Sequence, residues 1–263
     1  MTGRMVSLAG GKFEVDVLEE GSGAPLLYLH GIWDGPRNPL VAELASQHRV
    51  LAPWLPGFGT STGEEQLRDI HDAIYYYLDV LDALNFQGGA LVGHGLGGMF
   101  AAELAAVQPS RFASLTLIAP FGLWNPAQPI PDFFAMAPAE VAQATQGNDT
   151  GAPLAVGGVA APPETASDEE RVTFSVERAR AMAAAARFLW PLPNRGLATR
   201  IHRVCAPTLL VWGAHDGIIP PSYGGEFQRR IGSSRLEVLP SAGHLVHCQQ
   251  PDKVAALINN SRG

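Results

Sequence analysis

No run of about 18 apolar residues occurs in this 263-residue sequence, so no membrane-spanning helix is expected. The opening stretch, MTGRMVSLAGGKFEVDV, lacks a continuous apolar core, and a secretory signal peptide is not expected either. Cysteine is scarce. Cys205 and Cys248 are far apart and fit no metal-ligand spacing, which points to unpaired thiols and a cytoplasmic setting. Positive charge is also in short supply, with 18 Lys and Arg against 25 Asp and Glu. The formal net charge of −7 argues against nucleic acid or an anionic membrane surface as a partner. Internal repeats are absent.

What remains is a composition of 46% hydrophobic and 16% charged residues, which suits one large globular domain. Residues 5–8 and 13–18 read as a hairpin around Gly10-Gly11. Short apolar strands follow at 25–29, 50–52, 90–92 and 114–119, with helical periodicity at 39–46, 67–84 and 96–107. The alternation resumes late, with strands at 208–212 and 235–239 and helices at 222–231 and 252–259. Strands alternating with helices at this spacing predict an α/β fold with a mostly parallel sheet flanked by helices. Between the two halves, residues 122–203 are rich in Pro, Ala and Gly, as in GAPLAVGG at 151–158, and their best helix is 168–189. This stretch is expected to be a helical cap inserted into a core of residues 1–121 and 204–263. Its apolar residues Phe133, Phe134, Met136, Phe188, Leu189 and Trp190 need something to cover.

The segment Gly93-His94-Gly95-Leu96-Gly97-Gly98 follows a strand and opens a helix. That is the setting of a nucleophile elbow, in which the central residue sits at positive φ. Here the centre is Gly95, which tolerates the backbone and supplies no reactive atom. The same residues satisfy GxGxxG, a dinucleotide-binding pattern, but they lie outside the first βα unit and no acidic residue ends a strand about 20 residues on. Two distant segments favour the elbow. LLVWGAHDG places Asp216 just beyond one strand, and LPSAGHLVH places His244 just beyond the next. Loops at strand C-terminal ends converge on one edge of a parallel sheet, and the chain order elbow, Asp, His makes the pair more specific than either residue alone. Asp216 would hold the imidazole of His244, which would act as general base and then acid. The neighbouring His215 is expected to be exposed, and His94 to point into the fold.

The pieces LHGIWD, VLAPWLPGFGTS, LVGHGLGG, LLVWGAHDGIIP and LPSAGHLVH resemble the α/β-hydrolase fold family over about residues 25–122 and 203–258. The resemblance implies an oxyanion hole formed by the backbone N–H groups of Ile32 and Leu96. Two departures stand out: Trp54 where the family commonly has an aspartate, and Gly95 where it has serine. Expected substrate contacts are His30, Trp33, His94, Phe121 and Trp190, around a small, apolar carbonyl compound. No metal or organic cofactor is implied, and the oligomeric state stays open. Three readings of Gly95 follow. The chain is a hydrolase of esters or of ketone-flanked carbon–carbon bonds whose nucleophile has been replaced, impairing covalent catalysis. Alternatively it uses the His244–Asp216 dyad without a covalent intermediate, to activate water or move a substrate proton. Or it is a non-catalytic, small-molecule-binding relative.

Overall fold

A computed structural model describes residues 2–147, 166–192 and 194–262. The chain opens with an antiparallel hairpin, β1 (Thr2–Leu8) and β2 (Phe13–Glu20), and continues through β3 (Ala24–Leu29), α1 (Pro39–Leu44) and β4 (His48–Pro53). Next come α2 (Ile70–Ala83), β5 (Ala90–His94), α3 (Gly95–Val107) and β6 (Ser114–Ile118). After α4 (Pro138–Gln146) and α5 (Asp168–Leu189), the chain returns to the sheet with β7 (Thr208–Gly213), α6 (Ser222–Arg230), β8 (Ser234–Leu239), α7 (Val246–Gln249) and α8 (Pro251–Asn259). The strand order is β1-β2-β4-β3-β5-β6-β7-β8, parallel throughout except for β1 and β2.

Every residue of β5, β6 and β7 is buried, as expected of parallel strands covered on both faces. Alternate side chains feed opposite layers. Leu27, Leu29, Leu91, Leu117, Leu210 and Trp212 join the layer that includes α2, α3 and α6. Tyr28, Val92, Ile118, Leu209 and Val211 join the layer that holds α1 and α8. The sheet thus places the C-terminal ends of β3, β5, β7 and β8 along one edge.

The helix expected from residue 67 begins at Ile70, because the Asp69 side chain accepts the Asp72 N–H at 3.0 Å and fixes the N-cap there. The 168–189 helix has the expected bounds and starts in a capping box of Ser167 and Glu170. Helix α4 was not legible: PAEVAQATQ carries small and polar residues and buries only Val141 and Thr145. The GAPLAVGG stretch lies outside the described residues.

Helix α3 is anchored closely on the sheet. Gly97 N–H donates to the His30 carbonyl at 3.1 Å, and a Cβ at Gly97 would lie 2.2 Å from the Leu29 carbonyl oxygen. Only glycine permits this approach of helix to strand.

Candidate active site

The turn from β5 into α3 puts Gly95 at φ +53°, the left-handed region that strains residues with a Cβ. Its backbone position is held from both sides, by Gly97 N–H on His30 O and by Phe121 N–H on Gly95 O at 3.0 Å. A Cβ built at Gly95 would face the His244 Nε2 atom at 3.4 Å, with Gly31 Cα at 3.7 Å and the Phe121 ring at 3.8 Å. These are ordinary contact distances, so a side chain fits and would meet the imidazole.

His244, just beyond β8, donates Nδ1–H to Asp216 Oδ2 at 2.9 Å. Asp216, just beyond β7, is itself fixed by the N–H groups of Ile218 and Ile219, at 2.9 and 2.8 Å from Oδ1. Both side chains are fully buried. Burial pushes His244 below the ordinary histidine range, against the opposing pull of Asp216. The ring is therefore neutral near pH 7, with its Nε2 lone pair facing position 95. That nitrogen has no partner among the described residues. Such a nitrogen can accept a proton from a group placed at position 95.

The structure brings most of the expected residues together and reassigns several. Trp33 and Phe121 both pack against His244, with ring centroids at 5.4 and 6.1 Å, and Phe133 closes on both of them. The N–H groups of Ile32 and Leu96 have no acceptor among the described residues, and Leu96 lies in the first turn of α3, where amides point outward. His30 was expected at the substrate. Instead its Nε2 accepts the Leu55 N–H at 3.0 Å and its Nδ1 lies 2.7 Å from the Gly31 carbonyl, so both nitrogens serve the loop. Trp54 stacks edgewise on that ring. His94 was expected both to point into the fold and to contact substrate; it points into the fold, with both its nitrogens engaged by Asp34 and the His244 carbonyl. Trp190 is 51% exposed and its ring meets that of Phe134 edgewise, which in turn stacks on Phe133, so it stands one ring away from the site. His215 is exposed as expected.

Sequence reasoning missed two supports. Helix α4 ends with free carbonyls, and the loops of the dyad use them. Gly217 N–H donates to Ala144 O at 3.0 Å, Leu245 N–H to Thr145 O at 3.2 Å, and Gln249 Nε2 to Gln146 O at 2.9 Å. The second support is a buried cluster around Asp34, the last residue of LHGIWD. Its Oδ1 accepts the Gly31 N–H at 2.7 Å and lies 2.8 Å from His94 Nδ1. Its Oδ2 accepts the Tyr28 hydroxyl at 2.5 Å and lies 3.2 Å from His247 Nε2. These donors hold the Asp34 carboxyl well below the usual carboxylate range despite its burial, and His247 is pushed down to about 4, first by burial and then by His94. The sequence carries two signals for this cluster: the aspartate of LHGIWD, and His247 three residues after His244. Asp34, His94 and His247 are near enough to surround a cation, but their short separations, 2.8 and 3.2 Å, are those of hydrogen bonds with protons between the atoms.

A separate groove of about 770 Å³ lies between α2, α3 and α5, lined by Ile74, Leu78, Val107, Phe188 and Arg195 among others. It sits at the far end of α3, about 18 Å along the helix from Gly95, and is not part of this site.

Comparison with known proteins places this geometry. The family described as alpha/beta hydrolase fold matches residues 24–251. A dihydrolipoyllysine-residue acetyltransferase component of an acetoin cleaving system from Pseudomonas putida is 30% identical over 88% of this chain, and the chain spans 61% of that protein's length. A 2-hydroxymuconate semialdehyde hydrolase from Pseudomonas putida is 26% identical, over 98% of this chain and 93% of the relative. Among solved structures, a bacterial membrane phospholipase A superposes with a TM-score of 0.81 at 22% identity, covering 99% of this chain and 85% of the other, a likeness of fold.

Proposed function

The chain belongs to the alpha/beta hydrolase fold family, and from that premise we propose that its site hydrolyses a small apolar carbonyl compound, an ester or a carbon–carbon bond flanked by ketones. The observation that carries this reading is the buried His244 Nε2, unpartnered, aimed at position 95 and oriented from behind by Asp216. The carbonyl class is supported by relatives named as hydrolases, one of them for a semialdehyde. Trp33, Phe121 and Phe133 around the imidazole support an apolar substrate.

Gly95 offers no hydroxyl, so acyl transfer to the protein at this position is closed to the chain. Water takes the part of the nucleophile. His244 Nε2 accepts a proton from water as its oxygen bonds to the substrate carbonyl carbon. The carbonyl oxygen becomes an oxyanion, held by the Ile32 and Leu96 N–H groups. Collapse of the tetrahedral species breaks the ester or carbon–carbon bond. The imidazolium then returns its proton to the departing oxygen or carbon, and Asp216 holds the imidazolium in between. Amide donors of this kind contribute roughly 10²–10³ each in rate. The described residues 122–147 and 166–192 act as a cap over the site, with Phe133 as its inward contact. Free thiols at Cys205 and Cys248 accord with a cytoplasmic setting.

The test compares the chain as it stands with His244→Ala and Gly95→Ser on a panel of activated esters and diketones. Slow turnover by the unaltered chain should vanish in His244→Ala. Gly95→Ser should gain a fast acyl-enzyme route and label with a fluorophosphonate. Failure of Gly95→Ser both to turn over and to label refutes a hydrolase site, and turnover indifferent to His244→Ala refutes the base.

A further inference from the structure

We propose that Asp34 and His94 form a buried ion pair that positions His244 through its backbone carbonyl and sets a cation beside its ring. The inference rests on the reading of His244 as the base and assigns two positioning residues behind it.

The argument begins with hydrogen-bond inventory. His94 Nδ1 lies 2.8 Å from Asp34 Oδ1, and His94 Nε2 lies 3.1 Å from the backbone oxygen of His244. A carbonyl oxygen only accepts, so Nε2 carries a proton. Asp34 is surrounded by donors, namely Gly31 N–H, Tyr28 O–H and the rings of His94 and His247. A carboxyl group so placed accepts from all of them as a carboxylate, so Nδ1 of His94 carries a proton as well. An imidazole protonated on both nitrogens is a cation. Among the described residues every other titratable group against the pair is neutral. Burial keeps the Tyr28 hydroxyl and the Cys248 thiol protonated, and His30, His244 and His247 are all pushed below the ordinary histidine range. Among the described residues the charges at this edge are then Asp34 and His94, which neutralise each other, and Asp216, which accepts from His244.

The consequences reach three segments at once. Through Gly31 N–H, Asp34 holds the loop whose next amide belongs to Ile32. Through His94, the residue before Gly95, it holds the turn. Through the His244 carbonyl and His247 Nε2, it holds the loop and helix that carry the base. The His94 ring also lies 4.7 Å from the His244 ring, centroid to centroid. A cation at that separation in a dry setting disfavours a second proton on His244 and leaves its lone pair free for chemistry. Asp216 opposes it, orienting the ring and favouring the imidazolium once a proton has been taken. The base thus has a cation beside its ring and an anion on its Nδ1.

Long-range proton–nitrogen spectroscopy of the histidine rings, on the chain as it stands, tests this without requiring turnover. The expected spectrum shows protons on both His94 nitrogens, while His244 near neutrality carries one on Nδ1 alone. In His94→Gln, which retains one donor and no charge, His244 should take up its second proton at higher pH than in the unaltered chain. A neutral His94 ring overturns the ion pair, and an unchanged His244 titration in folded His94→Gln overturns the influence on the base. The spectrum of the unaltered chain decides the first point even where the variant does not fold. Placing His94→Gln on Gly95→Ser separates this inference from the hydrolase reading. A positioning role lowers kcat and moves the acid limb of its pH profile upward, with KM little changed, and a profile unmoved in pH overturns it.

Discussion

Substitution of Gly95 by alanine and by serine should separate two effects that coincide at this position. At φ +53° a residue with a Cβ is strained by about 1–2 kcal/mol relative to glycine. No steric overlap adds to this, since the nearest atoms to such a Cβ are His244 Nε2 at 3.4 Å, Gly31 Cα at 3.7 Å and Phe121 Cε2 at 3.8 Å. Alanine therefore carries the backbone strain alone. Serine carries the same strain, but its hydroxyl can donate to His244 Nε2, a buried nitrogen with no partner among the described residues. A hydrogen bond to such an atom returns about 1 kcal/mol. Serine should then fall about 1 kcal/mol above alanine in stability and at or slightly below glycine. For a chain of 263 residues, each 1 kcal/mol moves Tm by about 2–4 °C.

Thermal melts of the three proteins in one buffer, followed by circular dichroism, read this order directly. The expected ranking is glycine, serine, alanine, with serine and alanine separated by a few degrees. An alanine variant as stable as the unaltered chain would refute the strained elbow. Equal melting of serine and alanine would refute the contact between position 95 and the His244 ring, whatever the activities of the two variants.

Acid should destabilise the fold through His247. Its proton affinity drops from the ordinary 6.5 to about 4 on folding, so the unfolded chain binds a proton first as pH falls. The stability it contributes is complete above pH 6.5, declines as pH falls towards 4 and is gone below. At about 1.4 kcal/mol per tenfold change in proton affinity this amounts to about 3 kcal/mol. Urea titrations at neutral pH and near pH 4.5, repeated on His247→Gln, should show a smaller acid loss in the variant; an identical loss refutes the assignment. Gly97→Ala should abolish folding or lose at least about 4 kcal/mol, because its Cβ would stand 2.2 Å from Leu29 O and 2.4 Å from His30 O. A soluble variant with an unchanged melt would contradict the close packing of α3 on β3. Arg200→Met should cost about 3 kcal/mol, since it strands the fully buried Glu103, and the 40% exposure of Arg200 places the loss at the low end of the range for broken buried pairs. Adding Glu103→Met should recover most of it in chemical denaturation, and failure to recover would show that packing dominates there. On the Gly95→Ser background, Asp216→Asn should lower kcat by about 10⁴ by favouring the wrong His244 tautomer, and a loss under tenfold would dismiss the dyad.

The sheet and its order of strands and helices were legible because buried parallel strands read as unbroken apolar runs, such as Leu209-Leu210-Val211, and because α2 carries a clean helical stripe. The pairing of Asp216 with His244 was legible because each residue lies just beyond a strand, Asp216 after the apolar run of β7 and His244 after the alternating β8. Asp34 was not, although it stands in plain sight in LHGIWD. A lone aspartate after a strand reads as a turn residue, and its partners, Tyr28, His94 and His247, come from three different elements that only the fold brings together. Helix α4 escaped for a different reason. Its value to the protein lies in the backbone carbonyls at its C-terminus, and backbone groups leave no mark on a side-chain pattern. His30 and His94 were assigned to substrate because proximity can be read from a motif, whereas the count of occupied ring nitrogens cannot.

The contacts that build the site share one property: none runs through a side chain at position 95. The turn is fixed by backbone bonds, Gly97 N–H to His30 O and Phe121 N–H to Gly95 O. The imidazole of His244 is fixed by Asp216, and the backbone carbonyl of His244 by His94. The loops beneath are fixed by the end of α4 and by Asp34. A hydroxyl at this position would therefore be an addition to a framework already complete, and its loss removes a nucleophile without releasing the base, the carboxylate or the amide donors. This independence is what makes glycine compatible with an ordered site. It also implies that adding the hydroxyl should change the rate by orders of magnitude, up to about a millionfold, while moving the stability by only about 1 kcal/mol.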